Sequence, residues 1–173
     1  MNYADIRPID VANGPGVRVS LFVSGCTHRC EGCFNPETWA FDYGRPFGWE
    51  QEEEILSLLG RSYVRGLSLL GGEPFEPQNQ EAVLQLARRV REKFPDKDIW
   101  CYSGYLFEEL LAGAVGAHSR ALLGELDVLV DGPFILAQKS LSLHFRGSGN
   151  QRLIDVPSSL EAGAAVLWEP ELK

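Results

Sequence analysis

Apolar, strand-like runs recur along this chain with room for one helix between successive runs, and that alternation limits the folds open to it. Val17-Arg18-Val19-Ser20-Leu21-Phe22-Val23-Ser24 is rich in β-branched residues and reads as a first strand ending at Gly25. Gly66-Leu67-Ser68-Leu69-Leu70 reads as a second, stopped by Gly71-Gly72. A third runs from Lys97 to Tyr102, and Leu126-Asp127-Val128-Leu129-Val130 is a fourth, apolar apart from Asp127. Between them lie helical patterns. The acidic run Glu50 to Glu54 opens a short helix with Ile55, Leu58 and Leu59 on one face, and acidic residues suit the first turn's dipole. Val83, Leu86, Ala87, Val90 and Phe94 recur three or four residues apart, predicting a helix over 78–94 that Pro95 ends, with Arg88, Arg89 and Arg91 facing out. Phe107, Leu110 and Leu111 mark a third helix.

Strand, loop and helix in repetition predict an α/β fold with a mainly parallel sheet and outer helices. A complete eight-stranded barrel needs about 250 residues. With 173 residues the chain fits an incomplete, TIM-like barrel or an open sheet instead. One domain over 1–173 is expected, large enough for a real core. Residues 25–49 carry glycines, prolines and aromatics without a helical period and read mostly as loop. From about 134 the pattern is that of a short C-terminal extension, with Leu141-Ser142-Leu143-His144-Phe145 and Leu153-Ile154-Asp155-Val156 as short strands.

Sixteen Lys and Arg against 24 Asp and Glu give a net charge of -8, which does not suit bulk binding to nucleic acid or to an anionic membrane. Met1 to Asp5 has no cationic start and no signal-peptide apolar run, and the longest apolar stretches stop short of membrane-spanning length. A soluble, cytoplasmic protein without nucleic-acid or membrane partners is therefore expected. Cysteine use agrees: of four, three fall within eight residues and Cys101 stands apart. In a reducing compartment such a group reads as metal ligation more readily than as disulfides.

Cys26-Thr27-His28-Arg29-Cys30-Glu31-Gly32-Cys33 has the spacing C-x3-C-x2-C and follows directly on a strand. Thiolates suit zinc or iron–sulfur centres, and both remain open here. Structural zinc nearly always takes four protein ligands. The nearby set stops at three, with His28 or distant Cys101 as candidates for a fourth. Three thiolates on a four-iron cube would leave one iron for a substrate or cofactor, in contrast to the four-cysteine ligation of electron-transfer clusters.

The cysteine loop together with Gly71-Gly72-Glu73-Pro74 after the second strand resembles the radical S-adenosylmethionine superfamily. The resemblance implies that Cys26, Cys30 and Cys33 hold a 4Fe-4S cluster whose open iron chelates the methionine moiety of S-adenosylmethionine. Reductive cleavage would then give a 5′-deoxyadenosyl radical. It further implies that Gly71, Gly72 and Glu73 contact the methionine amino group, with Pro74 stiffening the turn. Gly32 and Phe34 flank Cys33 as candidate cofactor contacts, since the residue after the third cysteine lies against the adenine in the superfamily. Phe34 also has a plainer reading as core packing, and the glycine pair as a tight turn. His28 and Arg29 shape the loop, and Asn35 offers a polar contact near the cluster.

Four further segments narrow the resemblance to the small activating proteins of anaerobic ribonucleoside-triphosphate reductases. They are Asn13-Gly14-Pro15-Gly16-Val17-Arg18, Phe34 to Trp39, Trp100-Cys101-Tyr102-Ser103-Gly104-Tyr105 and Asp127 to Phe134. Phe145-Arg146-Gly147-Ser148-Gly149-Asn150-Gln151-Arg152 completes the match, and puts Ser148, Asn150 and Gln151 forward as cofactor-binding or partner-docking residues. Asp131 is a candidate cation ligand by the same resemblance, and Cys101 reads as a buried, apolar-like cysteine. The implied reaction takes a hydrogen atom from one glycine of the large reductase subunit, with a flavodoxin-like protein as electron donor. An incomplete barrel suits it, because a polypeptide loop can enter the open side. Competing readings are an activase of the pyruvate formate-lyase type, a small radical enzyme acting on a free substrate such as a deazaguanine synthase, and a zinc-stabilised binding module.

Overall fold

The computed structural model describes residues 1–170. Seven strands form one open sheet: β1 (Asn2–Asp10), β2 (Val17–Val23), β3 (Arg45–Pro46), β4 (Val64–Gly71), β5 (Asp98–Tyr102), β6 (Val128–Asp131) and β7 (Arg152–Asp155), in the order β3-β1-β2-β4-β5-β6-β7. The central four, β2, β4, β5 and β6, pair in parallel. The flanking pairings of β1 with β2 and β3, and of β6 with β7, are antiparallel. The sheet is therefore a partial barrel with a parallel centre and antiparallel edges. The helices are α1 (Trp49–Leu59), α2 (Pro77–Lys93), α3 (Phe107–Leu111), α4 (Ser119–Leu123) and α5 (Val156–Ala162). Among the described residues no helix is long and apolar enough to cross a membrane.

Side chains alternate across a strand, so each central strand contributes to two surfaces. Val19, Leu21 and Val23 of β2, Leu67 and Leu69 of β4, Ile99 and Cys101 of β5, and Leu129 of β6 join the main core with Leu56 and Leu59 of α1 and Val83, Leu86 and Val90 of α2. The opposite face carries Arg18, Ser20, Ser68, Trp100 and Tyr102, so the apolar runs cover only half of what they suggested. Arg18 is fully buried there. Its guanidinium donates to Ser68 Oγ (2.7 Å), Leu67 O (2.9 Å) and Pro15 O (3.2 Å). It also contacts Asp98 Oδ1 at 2.6 Å without hydrogen-bond alignment. Ser68 Oγ in turn donates to Asn13 O at 2.6 Å, so Arg18 and Ser68 together fasten the Asn13–Gly16 turn to the sheet.

The expected strands and helices are present within a few residues of their anticipated ends, with differences at the periphery. The N-terminal strand β1 and helices α4 and α5 are additions. Residues 141–145 form turns and bends instead of a strand, and Phe145 takes a left-handed φ of 59°. This stretch crosses the sheet's open face, where Phe145 and Trp168 pack edge-on to Trp100 at 5.3 and 5.0 Å.

Candidate active site

Each central strand ends beside a glycine-containing pair: Ser24-Gly25 after β2, Gly71-Gly72 at the end of β4, Ser103-Gly104 after β5 and Asp131-Gly132 at the end of β6. Parallel strands bring these tips to one edge, where α/β folds gather their ligands. A cavity of about 610 Å³ opens there. Cys26, Cys30 and Cys33 line it together with Gly71, Gly72 and Glu73, over a floor that includes Phe22 and Tyr102.

The glycine pair joins the second strand tip to the root of the cysteine loop. Gly72 N donates to Val23 O (2.7 Å) and Glu73 N to Gly25 O (2.8 Å), while Gly25 N donates to Thr38 O (2.7 Å). Gly71 has φ 105°, and a Cβ on Gly72 would sit 2.6 Å from Gly25 O and 2.9 Å from Thr38 O. Both obstacles are backbone, so no side chain fits. Beyond the cysteines the chain turns through a 3₁₀ helix, Pro36–Trp39, in which Thr38 N and Oγ1 both donate to Asn35 O (3.0 and 2.6 Å). Cys26 N closes the loop onto Trp39 O at 3.2 Å.

Glu73 is buried, and both its oxygens are occupied. It pairs with His28 Nε2 at 2.7 Å and accepts from Gly104 N (2.7 Å), Phe75 N (2.9 Å) and Ser103 Oγ (3.0 Å to each oxygen). Burial pulls the His28 imidazole down, but the hydrogen bond and charge of Glu73, with Glu76 and Glu109 beyond, outweigh it and leave the imidazole raised. Burial pushes the Cys26 thiol up to about 11, with the charges of Glu73 and Glu76 acting in the same direction and the backbone amides of His28 and Arg29 partly opposing. A cationic centre beside Cys26 would offset this burial and favour its thiolate.

All four cysteines are free. Cys101 lies fully buried in the helix-side core, where burial and then Glu73 hold its thiol well up, and it does not reach the cavity. His28 is committed to Glu73. Among the described residues no three His, Cys, Asp or Glu side chains are gathered as a single metal ion requires. Tetrahedral zinc at about 2.3 Å would draw its thiolates to about 3.8 Å from one another, with a fourth ligand. The donor set along this cavity is three thiols, Cys26, Cys30 and Cys33, with no fourth cysteine among the described lining residues.

Of the remaining candidates, Phe34 and Asn35 line the cavity. Phe34 is largely exposed; its ring lies 5.5 Å from that of Phe134, with Lys139 Nζ 5.0 Å above it. Gly32 is off the cavity wall and backs onto Leu136. Ser148 and Asn150 also lie off it: Ser148 Oγ donates to Asn150 Oδ1 (2.6 Å) and Asn150 Nδ2 to Pro133 O (2.7 Å), bracing a turn. That turn presents Arg146, Gly147 and Gln151 to the cavity instead. Asp131 is fully buried against Arg152 (3.0 and 2.5 Å) and Phe107 N (2.8 Å), so its oxygens serve an ion pair. Sequence reasoning passed over Ser103, Gly104 and Thr27 as site residues, and Glu76 altogether. The recurring glycine pair at each strand end was the available signal for the first two.

The protein-family model for a "4Fe-4S single cluster domain" matches residues 12–154. The anaerobic ribonucleoside-triphosphate reductase-activating protein of Vibrio cholerae is 49% identical over 153 residues, covering 87% of this chain and 96% of the relative. Its namesake from Escherichia coli is 43% identical with the same coverage. That of Enterobacteria phage T4 is 44% identical over 155 residues, 88% of this chain and 93% of the relative. Identity at this level across nearly the whole length, on a chain whose cysteine loop and glycine turn share one cavity, places it in the family of anaerobic ribonucleoside-triphosphate reductase-activating proteins.

Proposed function

We propose that Cys26, Cys30 and Cys33 hold a 4Fe-4S cluster with one iron open to S-adenosylmethionine, and that the protein activates an anaerobic ribonucleoside-triphosphate reductase. The observation that carries this reading is that the three free thiols and the Gly71-Gly72 turn line one cavity, with no fourth cysteine among its described lining residues. When bound there, cluster and cofactor would supply one-electron reductive cleavage and a carbon radical able to take a hydrogen atom from a glycine of the reductase.

The chain's own residues position and shield. The backbone of Gly71 and Gly72, bonded to the root of the cysteine loop and lining the same cavity, receives the methionine end. Phe34 and Phe134 form an aromatic wall at the cavity mouth that suits the adenine. Gly32, Ser148 and Asn150 act one step back, holding the backbone of the loop and turn. The sheet does not close, so a glycine-bearing segment of the large reductase subunit has an entrance, and close approach of the reacting atoms gives the rate. A flavodoxin-like protein supplies the electron.

Anaerobic reconstitution tests the reading. The expected result is about four irons and four sulfides per chain, with 5′-deoxyadenosine formed on reduction. A protein that binds only zinc and yields no deoxyadenosine would sink it.

A further inference from the structure

The resemblance assigns Glu73 to the cofactor, yet the geometry gives its side chain other work. An ionised carboxylate offers about four acceptor sites. Here four donors fill them: His28, Ser103, Gly104 and Phe75. Glu76, three residues on and equally buried, accepts from Thr27 N at 2.7 Å and Thr27 Oγ1 at 2.6 Å. Thr27 and His28 are neighbours within the three-residue gap between Cys26 and Cys30. The longer gap in the cysteine loop is thus gripped at two consecutive residues by two buried carboxylates.

The grip is anchored on both sides. Glu76 sits at the N-cap position of α2, where its carbonyl accepts from Asn79 N (2.8 Å) and Gln80 N (3.1 Å) while its carboxylate is left to Thr27. Asn79, in the first turn, donates to Ser24 O (2.9 Å) and Glu73 O (3.1 Å), tying the helix to the loop's root. On the other side Tyr105 lies edge-on to the His28 ring at 4.4 Å. A Cβ on Gly104 would come within 2.6 Å of that ring, so the β5 tip is shaped around the imidazole. Buried charged hydrogen bonds of this kind are strong, and leaving either carboxylate unpartnered is costly.

We propose that Glu73 and Glu76 are positioning residues for the cysteine loop, acting through His28 and Thr27, and that the Glu73 carboxylate does not contact the cofactor. The inference rests on the cluster reading above. Groups that hold metal ligands in place commonly change metal retention by about tenfold or more when replaced.

The test uses the full-length protein, reconstituted anaerobically, as wild type, His28→Asn, Glu73→Gln and the double variant. Three quantities are read: the rate of iron loss to a chelator, the paramagnetic resonance spectrum of the reduced cluster, and the affinity for S-adenosylmethionine from its effect on that spectrum. Both single variants are expected to lose iron about tenfold faster with altered spectra. The double variant should be no worse than the poorer single, because both changes break one link. S-adenosylmethionine affinity on the loaded fraction should change by less than about threefold, well under the tenfold of a lost direct contact. Iron retained as in wild type with affinity down about tenfold in Glu73→Gln would make Glu73 a cofactor contact and overturn the proposal. So would effects of the two changes that simply add. Should Glu73→Gln fail to fold, His28→Asn decides alone, since it leaves the other three bonds of Glu73 in place; wild-type iron retention there overturns the proposal. A wild-type protein that takes up no iron removes the cluster reading and this inference together, whereas normal loading with unaltered variants removes the inference only.

Discussion

Asp10 shows how a single residue holds part of the cavity lining, since Ala12 and Asn13, which it bonds, both line the cavity. It ends β1, is buried, and accepts from Ser20 Oγ (2.6 Å), Asn13 Nδ2 (2.7 Å) and Ala12 N (2.8 Å). Burial alone would raise its carboxyl, but the hydrogen bonds of Ser20, Asn13 and Ala12 outweigh it and hold the carboxyl below 3.8. A value lower in the folded than in the unfolded chain gives stability that is full above the unfolded value and lost as pH falls through the folded one. Asp10→Asn should therefore cost about 1–3 kcal/mol in urea unfolding near pH 7, and the gap should narrow as pH falls below the ordinary carboxylate range. A gap that does not vary with pH would contradict this. The chemistry of single residues was legible where it depends on neighbours in sequence, as in the cysteine spacing. It was illegible where partners are distant. Glu73 and His28 are 45 residues apart, and Arg18 meets Ser68 and Asp98 only once β2, β4 and β5 are aligned.

Among the elements, the turn after β4 is tightly constrained, because backbone meets backbone across it. Gly72→Ala places a methyl group against Gly25 O and Thr38 O, neither of which can move without shifting the cysteine loop. Strain of this kind is expected to cost about 1–3 kcal/mol and to lower the iron held after reconstitution. Thermal unfolding of the metal-free protein and iron analysis check the two parts, and a variant with unchanged stability and iron would contradict the close approach. The elements legible in the sequence were those with a clean period. Strand β2 alternates and α2 repeats every three or four residues, so both were found. Strand β1 was missed because irregularities between Tyr3 and Asp5 and between Arg7 and Asp10 break its alternation. Leu141, Leu143 and Phe145 do alternate, but across a segment that lies over the cavity rather than in the sheet. Helix α5 carried an unused start signal: Asp155 accepts from Ser158 N at 3.0 Å, with Pro157 in the first turn.

At the scale of the whole molecule, the partial barrel explains how so short a chain builds a reaction site. Helices cover one face of the sheet, while the other face, left uncovered by helices, carries the cavity beneath the C-terminal segment that crosses it. Fold class was legible from the alternation of strands and helices, since only a parallel centre accommodates it. Where the C-terminal segment settles was not, because Phe145 and Trp168 find Trp100 through packing that no local pattern encodes. The central claim is that this cavity delivers a radical to a polypeptide. Paramagnetic resonance of the reduced, cluster-loaded protein mixed with S-adenosylmethionine and an anaerobic ribonucleoside-triphosphate reductase tests it most directly. A glycyl-radical doublet on the reductase, absent when Cys26, Cys30 and Cys33 are replaced by alanine, is the expected result. Cofactor cleavage with no doublet on that partner, but one on a pyruvate formate-lyase-type protein, would contradict it.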